Sequence, residues 1–144
     1  GMYLVDMDFS EKRLTIENIH VAVGISIFYL TVLRLIYKAF NPTPKLNNSI
    51  FPGQKIIAKL NHVFLYISIL MITISGALKK LYNGEELNMF FFNLEIQDNF
   101  ELAEIFYEIH ILGNYTLIAL ISLHIFAVLI HKILFKENLL KRIL

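Results

Sequence analysis

Uncharged, apolar residues in this chain come in three long blocks separated by polar ones. The longest runs from Ile109 to Ile130 without one Asp, Glu, Lys or Arg, long enough to cross a bilayer core. It predicts a membrane helix over about 105–135. A second uncharged core, Asn61 to Leu78, predicts a span over about 56–81. The apolar run after Asn18 predicts a first span over about 19–40, which Asn41-Pro42-Thr43-Pro44 stops. Proline lacks the N–H that would continue a helix and pushes its predecessor out of the helical region. Pro52-Gly53 marks a turn before the second span. Residues 1–18 are mixed and polar and read as a short surface segment. Residues 82–103 alternate acidic and aromatic side chains and read as a loop. Its piece around Met89 to Phe92 is expected to lie in the membrane interface, with the aromatics in the headgroup layer. The pattern therefore predicts an all-α integral membrane bundle, one domain over residues 1–144 with three transmembrane helices. There is no internal repeat.

Composition narrows the chemistry. Hydrophobic residues make up 56% of the chain and charged ones 17%, and they are grouped in blocks, so a bilayer explains them better than a water-soluble core. The absence of cysteine excludes disulfides, thiolate metal sites and Cys-ligated iron–sulfur clusters. A net charge of +1 gives no sign of a nucleic-acid partner. Orientation follows from basic residues near the span ends. Arg34, Lys38, Lys45, Lys55, Lys59, Lys132, Lys136, Lys141 and Arg142 fall on one side, against Lys12, Arg13, Lys79 and Lys80 on the other. The N-terminal segment and the acidic loop are thus expected outside, and the proline loop and C-terminus in the cytoplasm. No signal-peptide pattern is present in the first residues.

Three of the five histidines, His110, His124 and His131, lie on the third block. At about 100° per residue, His124 falls within roughly 40° of the azimuth of His110 and about 21 Å further along the axis. Ionisable groups at membrane depth are costly and usually functional. The orientation puts His20 and His110 at a similar outer depth, with His62 and His124 on the inner side. Two imidazoles on facing helices at equal depth can fill both axial positions of a haem iron. Gly24 and Gly113 each follow about one turn later, where a missing side chain lets a porphyrin approach the backbone. Zinc is less apt, because a closed site wants four ligands and this depth offers two, with Glu108 nearby. Plainer readings stand beside these. A membrane histidine also serves as a helix-to-helix hydrogen-bonding residue. His131 beside Lys132 reads as interfacial, and Arg34 as a snorkelling anchor or as the partner of a haem propionate.

The residues then carry a resemblance. Ile19-His20-Val21-Ala22-Val23-Gly24, Leu33-Arg34-Leu35 and Asn41-Pro42-Thr43-Pro44 resemble the second helix and following loop of bacterial cytochrome b561. Asn61-His62, Leu65-Tyr66 and Ser75-Gly76 resemble its third helix, and Phe91-Phe92-Asn93-Leu94 its outer loop. Glu108-Ile109-His110, Leu123-His124, Ile130-His131 and the tail Leu140-Lys141-Arg142-Ile143-Leu144 resemble its last helix and C-terminus. The chain departs from that pattern at Ile109, where tryptophan is common, and at Lys132, where a second histidine often stands.

The resemblance implies a four-helix membrane protein of the bacterial inner membrane with two b-type haems. It would pass electrons between the outer face and the quinone pool, in some members as a superoxide:quinone oxidoreductase. His20 and His110 match the axial ligands of the outer haem and His124 one ligand of the inner haem. The partner of His124 comes from a first helix for which this chain shows no counterpart, so His62 would stand in for it or the inner site would stay empty. A complete gene is expected to encode that span. Without it, the exposed face is expected to meet lipid, a second copy of the chain or a redox partner protein. A cytochrome b subunit of a hydrogenase or formate dehydrogenase type of complex, and a haem-free membrane adaptor, share the same layout.

Overall fold

The computed structural model describes Leu4, residues 7–41 and residues 52–134. The proline loop after Asn41 and the basic tail after Leu134 lie outside the described residues, as does the side chain of His131. Within them the chain forms three long helices, α1 (Glu11–Phe40), α2 (Pro52–Tyr82) and α3 (Phe100–Leu134). Between α2 and α3 sits a small antiparallel hairpin, β1 (Leu87–Asn88) and β2 (Asn93–Leu94), with Leu87 opposite Leu94 and Asn88 opposite Asn93. All three helices are long and apolar enough to cross a membrane.

All three helices begin earlier than the apolar pattern suggests, and local chemistry explains the first and the third. Ser10 caps α1, its hydroxyl accepting from the Arg13 amide at 3.2 Å, with Glu11 in the positively polarised first turn. The polar residues 11–18 are therefore helical. Asn99 caps α3 in the same way, Oδ1 accepting from the Leu102 amide at 3.1 Å. At the end of α2, Gly84 takes φ +78°. Its N–H donates to the Leu81 carbonyl and that of Glu85 to the Lys80 carbonyl. That is the Schellman pattern, which needs a left-handed residue. Lys80 and Glu85 pair across it.

Small hydroxylated residues share the inside of the bundle with a few aliphatics such as Ile25, Ile72 and Leu81. Thr31, Ser68 and Ser75 are buried, whereas Leu30, Leu33, Phe64, Leu112, Leu123 and Phe126 are exposed. Helices that associate in lipid bury small and hydroxylated residues and leave large aliphatics to the acyl chains. Helix α2 is the centre of the molecule. It packs extensively along α3 and less along α1, and a gap remains between α1 and α3. Close approach of α2 and α3 depends on glycine: a Cβ on Gly113 would stand 2.7 Å from Cγ1 of Ile72 and 3.1 Å from Cε of Met71.

Candidate functional site

The gap between α1 and α3 is a cavity of about 970 Å³ at the hairpin end of the bundle. Its size lies in the range of cofactor pockets, about 300–1,000 Å³. His20 reaches it from α1 and His110 from α3, and their ring centres stand 6.0 Å apart with the planes at 89°. Two imidazoles on one metal, each about 2 Å from it, hold their ring centres about 6 Å apart. This spacing suits a shared iron.

The two ends of His110 are chemically distinct. Nδ1 lies 2.9 Å from the Ile72 carbonyl, which only accepts, so the ring proton is on Nδ1 and the lone pair on Nε2 is free. A hydrogen bond of this kind fixes the tautomer and orientation of a metal-binding imidazole. Gly76 makes the ring position possible, since a Cβ there would sit 2.9 Å from both Cε1 and Nδ1 of His110. Gly24 faces open space with no atom within 4 Å of its would-be Cβ, and it lines the cavity. A planar macrocycle could come against the backbone there. Arg13 and Lys79 also line the cavity, where they could meet carboxylates. Among the described residues, no three or more His, Cys, Asp or Glu side chains gather as a metal cluster. Haem needs only the two axial ligands that His20 and His110 could supply, because the porphyrin brings the other four. The residues fit this group.

The other sequence candidates lie elsewhere. Gly113 faces Ile72 and Met71 and serves helix packing. Arg34 stands fourteen residues along α1 from His20, about 21 Å by helical rise. There its Nε–H donates to the Tyr66 hydroxyl at 2.9 Å, and Lys38 lies 5.1 Å from the centre of the same ring. His62 and His124 meet at this end too, ring centres 5.2 Å apart at 65°. The Asn61 amide donates to Nδ1 of His124 at 3.1 Å, which leaves the ring proton on Nε2. The two histidine pairs thus differ: His110 lines a cavity and bonds a carbonyl through Nδ1, while His124 bonds a side-chain amide through the same atom.

Sequence reasoning missed Gly76, the Ile72 carbonyl and Asn61. Gly76 precedes His110 by thirty-four residues, so no local spacing ties them. The available signal was a small residue within an apolar block, which marks a helix contact without naming its partner.

Comparison with known proteins gives a consistent result. The chain matches the family described as prokaryotic cytochrome b561 over residues 1–144. It is 26% identical over 148 residues to "Cytochrome b561 homolog 2" of Escherichia coli strain K12, covering 100% of this chain and 79% of that protein. It is 28% identical over 137 residues to "Cytochrome b561 homolog 1" of the same organism, covering 94% of this chain and 78% of that one.

Proposed function

This chain belongs to the prokaryotic cytochrome b561 family, and we propose that it is an electron-transfer cytochrome whose His20 and His110 are the axial ligands of a haem b. Family membership itself implies a membrane b-type cytochrome and electron transfer. The observation that carries the site assignment is the 6.0 Å spacing of two imidazoles across a cavity, one of them held by Ile72 with Nε2 bare. When bound, haem supplies an iron that takes up and releases one electron. The chain does the rest. Ile72 orients His110, and Gly76 and Gly24 leave room. Arg13 and Lys79 offer charge to the propionates.

The haem at His20 and His110 lies at the outer end, and the chain connects that face with the quinone pool in the inner membrane. The basic residues of the Arg34 end support this orientation. A second, inner haem would be held by His124, with His62 standing in as its partner, or that site would stay empty. For His124 to bind iron through Nε2, the Asn61 amide must turn so that its oxygen accepts from Nδ1–H.

The test is a reduced-minus-oxidised visible spectrum of the purified chain, with haem counted after extraction. His20→Ala and His110→Ala should each abolish the haem of the outer site, while His124→Ala keeps the haem of that site. Unchanged colour in both of the first two variants would overturn the assignment.

A further inference from the structure

We propose that the hairpin of β1 and β2 is a re-entrant finger whose phenylalanine tip lies among the acyl chains, near the middle of the bilayer, instead of at the headgroups. Three observations place it there. The first is what the tip touches. The Tyr29 hydroxyl donates to the Met89 carbonyl at 3.1 Å, and its ring stands 6.4 Å from that of Phe90 and 6.1 Å from that of Phe91.

The second is the depth of Tyr29. The uncharged stretch of α2 lies between Lys59 and Lys79, so its middle is near Ile69. Arg34 on α1 is level with Tyr66 on α2 through their hydrogen bond. Antiparallel helices rise equally, about 1.5 Å per residue, so Tyr29 is level with about residue 71 by that hydrogen bond. By the packing of Ile25 with Leu81 and Leu87 it is a few residues nearer Lys79, inside the acyl layer on either register. On α1 it is also ten residues inside Ile19, about 15 Å, which is half of a hydrocarbon core of about 30 Å. From Glu85 to Phe91 the chain has six steps, about 20 Å when extended, ample reach.

The third is composition. From Leu87 to Leu94 the sequence LNMFFFNL holds no charge. Phe91 is 85% exposed and Phe90 and Phe92 are about half exposed.

Backbone polar groups at this depth must be satisfied within the protein, and the tip meets part of that demand. The Met89 amide donates to the Phe92 carbonyl at 2.9 Å, and the Phe90 amide to Oδ1 of Asn88 at 2.8 Å. Tyr29 takes the Met89 carbonyl. The opposite face of the hairpin is different. Leu87 is buried at 1% exposure against Ile25 and Leu81 and lines the cavity. The finger therefore has one side toward the cavity and one toward lipid. The occupant of the outer side is lipid, since the surface is uncharged and lies at acyl depth.

The chain has no tryptophan, so Phe91→Trp installs a single fluorophore. The full chain is reconstituted in phosphatidylcholine vesicles whose lipids carry bromine at shallow, middle or deep acyl positions, or a nitroxide on the headgroup. Emission should be blue-shifted and quenched most by the middle and deep bromines. A Phe100→Trp control at the start of α3 should be quenched most from the headgroup. Headgroup quenching of the Phe91→Trp emission would place the hairpin at the surface and overturn the proposal. Blue emission that no lipid quencher reaches would mean a protein cover, such as a second copy, and would overturn it equally. If Phe91→Trp does not reconstitute, Phe92→Trp reads the same depth.

Discussion

Two glycines on facing sides of one cavity separate folding from function at single-residue resolution. A methyl group at position 76 meets the imidazole of His110 at 2.9 Å. Gly76→Ala should cost about 1–3 kcal/mol through overpacking and displace the ring from the Ile72 carbonyl. The measurable result is an altered low-spin electron paramagnetic resonance signal, or its loss with the haem. At position 24 the same methyl meets no protein atom. Gly24→Ala should leave the haem-free chain at least as stable, because alanine is the better helix former by about 1 kcal/mol. Its haem retention should nonetheless fall. Thermal unfolding with and without haem tells these outcomes apart. That His20 and His110 come together was legible in the sequence, because ionisable residues at matched depth in apolar blocks stand out. Gly76 and Asn61 were not, since their roles exist only once α2 lies against α3.

At the scale of elements, the three helices were legible because lipid demands long uncharged runs. Their beginnings were not, because Ser10 and Asn99 each extend a helix into polar sequence by capping it. The hairpin escaped altogether. Its turn places Phe90 at φ 68°, a conformation that normally calls for glycine or asparagine, and its strands are two residues each. What holds it is long-range: Tyr29 is sixty residues from Met89. Tyr29→Phe should therefore loosen the hairpin while leaving the helices intact. Losing one hydrogen bond costs about 1 kcal/mol, which hydrogen exchange would read as roughly fivefold faster exchange at the Met89 and Phe90 amides.

For the whole molecule, the arrangement is a close pair, α2 with α3, and a third helix across a gap. One histidine pair lines that gap and the other lies between α2 and α3 toward the opposite end of the bundle, so their occupancies should be separable. A haem titration of the double variant His62→Ala/His124→Ala should still saturate at one haem per chain. Loss of all haem from that variant would mean that the two ends are coupled. The gap also bears on the life of the protein in a cell. With α1 packed less extensively on α2 than α3 is, a chain made when haem is scarce would hold its first helix by that smaller contact and the Tyr29–Met89 hydrogen bond. Such chains should be the preferred prey of membrane proteases. Pulse-chase labelling would show a shorter half-life under haem starvation, and the cell would thereby match the number of these chains to its supply of pigment.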